Sequence, residues 1–278
     1  MERDLLVVPA RWGSTRLPGK PLLAVAGRTL LSRVVEVARR GAALAGGARL
    51  LVATDDERVA AHARALGVEV AVTSPAITTG SGRALAAVRA AAPHAERLVN
   101  LQGDAPFTPP ATVAALLAAI RAGAGTEAEM EAGAVATPVV RLGWDELDAL
   151  RAHKRAAPFS GTTCIVGPDR RALWFSKQVL PAIRDEEALR ALGGPSPVHQ
   201  HVGLYAYRVD ALARFEAAPS SFHERLEGLE QLRFLELGMT IRAVPVAASI
   251  FPATGIDTPA DVARAEALIA THGDPFDA

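Results

Sequence analysis

The sequence predicts an α/β protein: a Rossmann-like, mostly parallel sheet carrying a smaller mixed α+β lobe. Three observations lead there. Up to about residue 132, short apolar runs alternate with amphipathic segments. From residue 133 to about 250 the texture shifts to β-rich stretches with two helical interruptions, and residues 251–278 end in one more helical pattern that returns to the main domain.

The runs "LLVV" (5–8), "RLLVAT" (49–54), "VEVAVT" (68–73) and "RLVNLQ" (97–102) read as strands. Between the first two, "TLLSRVVEVARR" (29–40) places Leu30, Val34 and Val37 with Leu31, Val35 and Ala38 on one helical face. This alternation implies parallel strands with helices on both sides, and ligands of such sheets collect at the carboxyl ends of the strands. The loop "PARWGS" after the first strand and "QGD" after "RLVN" lie at two such ends.

The second part contains "GAVATPVV", "TTCIV", "ALWFS", "HVGLYAYR" and "TIRAVPV" as β-like stretches, interrupted by the helical "RVDALARFEA" and "RLEGLEQLRFLELG". The final helix follows "GIDTPADV", whose Asp-Thr-Pro is a helix-start signal. Residues 123–133 and 184–197 read as surface loops or short exposed helices. The whole is expected to form one continuous globular unit.

Composition narrows the function classes. Thirty basic side chains balance thirty acidic ones, so no global field draws the chain to nucleic acid or to an anionic membrane, and any anion site must be a local cluster. Cys164 is the single cysteine, which excludes an internal disulfide and a cysteine-based zinc site; it reads as a small buried hydrophobe. "MERDLL" lacks the order of a secretory signal, and no apolar run approaches the roughly 18 residues of a membrane span. A cytoplasmic protein is expected.

The loop "PARWGSTRLPGKPL" (9–22) is the densest chemistry in the chain. It is not a P-loop: five residues, not four, separate Gly13 from Gly19, and Pro21 stands where a magnesium-binding hydroxyl belongs. What it offers is Arg11, Arg16, Lys20 and the hydroxyls of Ser14 and Thr15, with backbone amides of residues 13–15 as further donors to a polyanion. The chain has only three lysines, and one of them is here. A nicotinamide-dependent dehydrogenase would need G-x-G-x-x-G after the first strand, which "GSTRLPG" does not supply.

Seven stretches in order, "PARWGSTRLPGKPL", "VATDDERV", "VNLQGDAP", "ALWFSKQVLP", "HVGLYAYR", "LEQLRFLELG" and "GIDTPADV", together resemble the 3-deoxy-manno-octulosonate (Kdo) cytidylyltransferases, over nearly the full chain. Those enzymes transfer CMP from CTP to an acidic sugar. The resemblance implies a nucleotidyltransferase fold, Mg2+ dependence and a homodimer. It assigns nucleotide binding to Pro9, Ala10, Arg11, Gly13, Ser14, Thr15, Arg16, Lys20 and Gln102, with Lys20, Arg16 and Asp104 catalytic and Asp104 and Asp257 holding the metal. Acceptor binding falls to Arg83, Gln102, His201, Tyr205, Glu230 and Gln231. Asp55 and Asp56 read as a helix cap, Trp174 and Phe175 as core.

The chain also departs from the family pattern. The segment H-x-S-G-T-[DE]-R is "ITTGSGR" (77–83), so Ile77 replaces a histidine and Gly82 an acid. Ala105 replaces the glutamate after "QGD", Gln200 a basic residue and Thr163 a lysine. Carboxylates accept hydrogen bonds from sugar hydroxyls, so their loss at 82 and 105 suggests an acceptor other than Kdo, such as a small phosphono-carboxylate like phosphonoformate. Kdo or a modified Kdo is the alternative acceptor, and a catalytically inactive nucleotide-binding regulator the alternative role. The expected partners are CTP and an acidic acceptor, with no nucleic acid and no membrane.

Overall fold

The computed structural model describes residues 3–13, 17–122, 133–251 and 255–277. Strand β1 (Asp4–Pro9) lies in the middle of the parallel half of a ten-stranded sheet. It pairs in parallel with β4 (Arg49–Thr54) on one side and β6 (Arg97–Asn100) on the other, and β5 (Glu69–Val72) extends beyond β4. Residues 24–25 (β2) and 28–29 (β3) form a small separate hairpin.

Alternate side chains of the parallel strands feed two cores. Leu5, Val7, Leu51, Ala53 and Leu98 enter one, with α3 (Gly80–Ala91) packed over them. Leu6, Val8, Val52 and Val99 enter the other, under α1 (Leu30–Leu44), α2 (Glu57–Ala65) and α4 (Pro110–Ala122). Both faces being covered is why these strands read as unbroken apolar runs instead of alternating ones.

The chain steps outward from β1 to β4 to β5, then crosses back to β6 on the far side of β1. This reversal makes the gap between β1 and β6 the switch point of the sheet, where the loops leaving the two strands diverge and open a crevice.

The mixed part continues the same sheet. β11 (Tyr205–Arg208) pairs antiparallel with β6 and with β7 (Val135–Arg141); β10 (His199–His201), β8 (Thr163–Val166) and β9 (Ala172–Ser176) follow outward, while β12 (Ile241–Pro245) runs parallel to β7. The stretch "HVGLYAYR" therefore holds parts of two strands, broken at residues 202–204, and not one. The helix α5 (Trp144–Ala156) escaped the sequence reading, because only its Leu147 is buried and its pattern carries little periodicity. Residues 184–197 contain the short exposed helix α6 (Glu186–Ala191), as expected. Most of the segment 123–133 lies outside the described residues.

"RVDALARFEA" forms α7 (Val209–Ala217), and "RLEGLEQLRFLELG" contains two helices, α8 (Phe222–Glu227) and α9 (Gln231–Glu236). The closing helix α10 (Pro259–His272) returns to the first part through the tail that follows it: buried Arg33 on α1 pairs with Asp274 at 2.8 Å and donates to the Val25 carbonyl. Among the described residues, no helix is long and apolar enough to cross a membrane.

Candidate active site

The crevice at the switch point is a cleft of about 350 Å³ walled by Pro9, Ala10 and Arg11 from the loop after β1 and by Gln102, Gly103 and Asp104 from the loop after β6. The two loops touch closely: a Cβ on Gly103 would stand 2.3 Å from the Pro9 carbonyl oxygen, so only glycine lets them stack. Lys20 enters from a one-turn 3-10 helix (Lys20–Leu22) whose N-cap, Gly19, has φ 68°. A Cβ there would also collide with the Trp12 ring at 2.8 Å. Gly19 and Pro21 thus fix the direction in which Lys20 leaves the backbone.

Lys20 is buried, and its Nζ donates to Asp104 Oδ2 at 2.7 Å and to Asp257 Oδ1 at 2.8 Å. The two carboxylates keep 36% and 40% of their side-chain surface open toward the cleft, so they can still meet a ligand. Asp104 and Asp257 are also joined through the backbone, since Ile256 N donates to the Asp104 carbonyl at 2.9 Å. The helix-start role that Asp-Thr-Pro suggested falls to other atoms: Thr258 caps α10 and Asp261 completes its capping box. The Asp257 carboxylate is therefore not the cap.

Of the expected nucleotide residues, Pro9, Ala10, Arg11, Lys20 and Gln102 line this cleft. Gly13 does not, and a Cβ there would meet nothing within 4 Å. Ser14, Thr15 and Arg16 lie outside the described residues.

Arg83 departs from its expected part. It belongs to the cleft wall but is 2% exposed, and its guanidinium is committed to Asp55 Oδ2 at 2.9 Å, Thr73 Oγ1 at 2.5 Å and the Ile77 carbonyl at 2.8 Å. Three of its five N–H donors are thus taken within the protein, and the bonded fork holds the segment around Ile77 against Asp55 and Thr73. Asp55 is correspondingly more than a cap. Asp56 caps α2, while Asp55 anchors Arg83 and accepts from the Trp12 amide at 3.4 Å, tying the opening loop to α3. The sequence offered no signal to separate the two neighbouring aspartates.

Gln102 also borders two further cavities. One, of about 600 Å³, contains His201, Gln200 and Ala105; the other, of about 360 Å³, contains Tyr205, Tyr207, Glu230 and Gln231. His201 Nε2 lies 3.0 Å from both Thr137 Oγ1 and the Tyr205 hydroxyl, and burial, reinforced by the charge of Lys177, pushes its imidazole down to about 3. It is neutral near pH 7. Burial, with the nearby Glu216 charge second, raises the Glu230 carboxyl above the usual range. An aromatic row, His201 to Tyr205 to Tyr207 to Phe234, backs both cavities. Trp174 and Phe175 sit in or against the core, and burial pushes the Cys164 thiol up to about 12, so it is inert.

Three buried side-chain atoms without a hydrogen-bond partner, Ser81 Oγ, Asn100 Oδ1 and Gln231 Nε2, belong to residues of the 360 Å³ cavity. With Tyr205, Tyr207 and Glu230 these residues make the cavity's lining largely polar. Ser81 was noted in the sequence only as fitting the family's acceptor-side segment, and Asn100 was not singled out, since it resembles an ordinary strand residue.

A switch-point cleft with a lysine bridging two open carboxylates, reached by a basic loop that is not a P-loop, suits an α/β enzyme acting on a polyphosphate. The comparisons with known proteins agree. Residues 5–241 match the model of the family described as cytidylyltransferase. The 3-deoxy-manno-octulosonate cytidylyltransferase of Maricaulis maris (strain MCS10) is 39% identical over 272 residues, covering 97% of this chain and 98% of its own. That of Escherichia coli is 36% identical over 270 residues, with 97% of each chain covered. A solved structure of CMP:2-keto-3-deoxy-manno-octonic acid synthetase complexed with CTP superposes with a TM-score of 0.79 at 34% identity, covering 97% of this chain and 99% of that one. The chain belongs to the Kdo cytidylyltransferase family, and its enzymatic class is cytidylyltransferase.

Proposed function

We propose that this chain transfers CMP from CTP to Kdo with release of pyrophosphate. The observation that carries the choice of acceptor is the 360 Å³ cavity, whose lining combines the hydroxyl of Ser81, the amides of Asn100, Gln102 and Gln231, the phenols of Tyr205 and Tyr207 and the carboxyl of Glu230. A polyhydroxylated acid can exchange hydrogen bonds with many of these groups; a small phosphono-carboxylate can reach few of them at once. The smaller acceptor suggested by Gly82 and Ala105 is thus disfavoured, and the names of the relatives point the same way.

In the proposed reaction an acceptor hydroxyl oxygen attacks the α-phosphorus of CTP and gives up its proton to water, the bond to the bridging oxygen breaks, and pyrophosphate carries that oxygen and its electron pair away. No protein nucleophile is required, so the residues work by alignment and charge. Pro9, Ala10 and Arg11 form the wall along which the triphosphate would lie, and Lys20 supplies a fixed cation. Gln102, bordering all three cavities, is placed to contact both substrates.

Asp104 and Asp257 fit a magnesium site in kind: two hard carboxylates, each holding one oxygen on the Lys20 ammonium and keeping 36% and 40% of its side-chain surface open, to which phosphate oxygens and water would add. Gly255 keeps the approach to Asp104 open, since a Cβ there would lie 3.0 Å from the Asp104 carboxyl carbon. Bound there, Mg2+ would supply charge neutralisation of the phosphates.

The test is pyrophosphate release with CTP and Mg2+ against Kdo, phosphonoformate and other acidic acceptors. Efficient turnover of Kdo is expected. Turnover of phosphonoformate with Kdo inert would overturn the choice of acceptor.

A further inference from the structure

The family pattern places an acid at position 82, and this chain has glycine there. Thr79 is the N-cap of α3 and accepts from Gly82 N at 3.1 Å, so position 82 is the third residue of the helix. An acid at that position would make a capping box and complement the helix dipole. With Gly82 the first turn of α3 carries no acidic residue.

The space is nevertheless filled by a carboxylate. A Cβ built on Gly82 would stand 3.0 Å from Glu216 Oε2 and 2.8 Å from Thr79 Oγ1. Glu216 comes from α7, the helix packed beside α3. Its position there carries costs. It is the next-to-last residue of its own helix, the end that repels negative charge; its Oε1 is buried without a partner; and its charge bears on Glu230 and Tyr207. Two features offset these costs, the nearby charge of Arg233 and the positive end of α3, and only the second bears on position 82.

We propose that Glu216 is a positioning residue that supplies, from a neighbouring helix, the carboxylate missing at position 82, and so fixes the turn carrying Thr78, Thr79, Gly80 and Ser81. That turn borders both the nucleotide cleft and the polar cavity, with Ser81 on the cavity side alone. Loss of the acid at 82 and the presence of Glu216 are then one exchange, and the acceptor wall is rebuilt instead of stripped. The kinetic arm rests on Kdo as acceptor; the structural arm does not.

The exchange is tested with E216A, G82E and the double variant G82E/E216A in the full chain, reading KM for Kdo, KM for CTP and kcat by pyrophosphate release, and amide exchange of residues 79–82. E216A is expected to raise KM for Kdo about fivefold and to speed exchange in the turn, with KM for CTP nearly constant. G82E alone is impaired as well, because its side chain meets the Glu216 carboxylate. The double variant recovers most of the loss in both readouts. A double variant no better than the worse single one overturns the proposal, and so does an E216A that weakens CTP and Kdo equally. If the parent does not use Kdo, the choice of acceptor fails on its own, while the exchange cycle still decides the Glu216 assignment.

Discussion

Lys20 and Asp257 stand 237 positions apart in the chain, yet Lys20 Nζ donates to Asp257 Oδ1 at 2.8 Å. The same Nζ reaches Asp104 at 2.7 Å, so the first and last parts of the protein meet on one ammonium group at the mouth of the cleft. The fold serves this meeting: the switch between β1 and β6 opens the crevice, and the return of α10 delivers Asp257 to it.

Lys20→Ala is expected to lower kcat/KM for CTP by about 10²-fold, the scale of losing one preorganised charge contact to a developing phosphate charge. The melting temperature should change little, because the two carboxylates left behind remain open to water. Full activity in this variant, measured by pyrophosphate release, would remove Lys20 from the machinery.

Asp104→Asn and Asp257→Asn should each reduce turnover on the order of 10²-fold and raise the Mg2+ concentration needed for half-maximal rate, while CTP binding measured by calorimetry falls less. Since Thr258 and Asp261 already cap α10, Asp257→Asn should leave thermal stability intact. An unchanged metal requirement would refute a metal role for the residue altered.

The parallel half of the fold was legible because both-face burial writes strands as unbroken apolar runs, and strand 49–54 matches its predicted range. Helix α5 was not, because a helix with one buried residue leaves no stripe to read. At the site, residues with a chemistry of their own, such as Lys20 and Asp104, could be named from motif and strand end. Arg83 could not be placed correctly, because a guanidinium bound by an aspartate, a threonine and a carbonyl looks in sequence like one waiting for a ligand. Glu216 was invisible for a related reason: its relation to Gly82 exists only across two packed helices.

Arg83→Leu should unfold the protein more readily, not change its acceptor. Removing the guanidinium leaves Asp55 as an uncompensated, nearly buried charge, a loss on the order of 3 kcal/mol. Denaturant melts check this directly. An Arg83→Leu variant of parental stability with a selectively raised KM for the acceptor would restore the reading of Arg83 as the acceptor's anion partner.

His201 should make stability depend on pH in a direction opposite to that of a salt-bridged histidine. Its folded-state pKa is pushed down to about 3 by burial and by the charge of Lys177, from an ordinary value of 6.5. Protonation therefore favours the unfolded chain, so the stability tied to the neutral ring is present above pH 6.5 and is lost as pH falls from there toward about 3. Between about pH 6.5 and pH 5 ordinary carboxylates stay ionised, and the parent should lose about 1 kcal/mol through this ring, allowing for the water that reaches its partly buried side chain. His201→Gln keeps a neutral hydrogen-bonding group near Thr137 and Tyr205 but cannot titrate, so its stability should decline less over that window. Urea melts of both proteins at matched pH values give the two slopes directly. Parallel slopes would mean that the ring takes up its proton over the same pH range in the folded and unfolded chain, against a strongly lowered value.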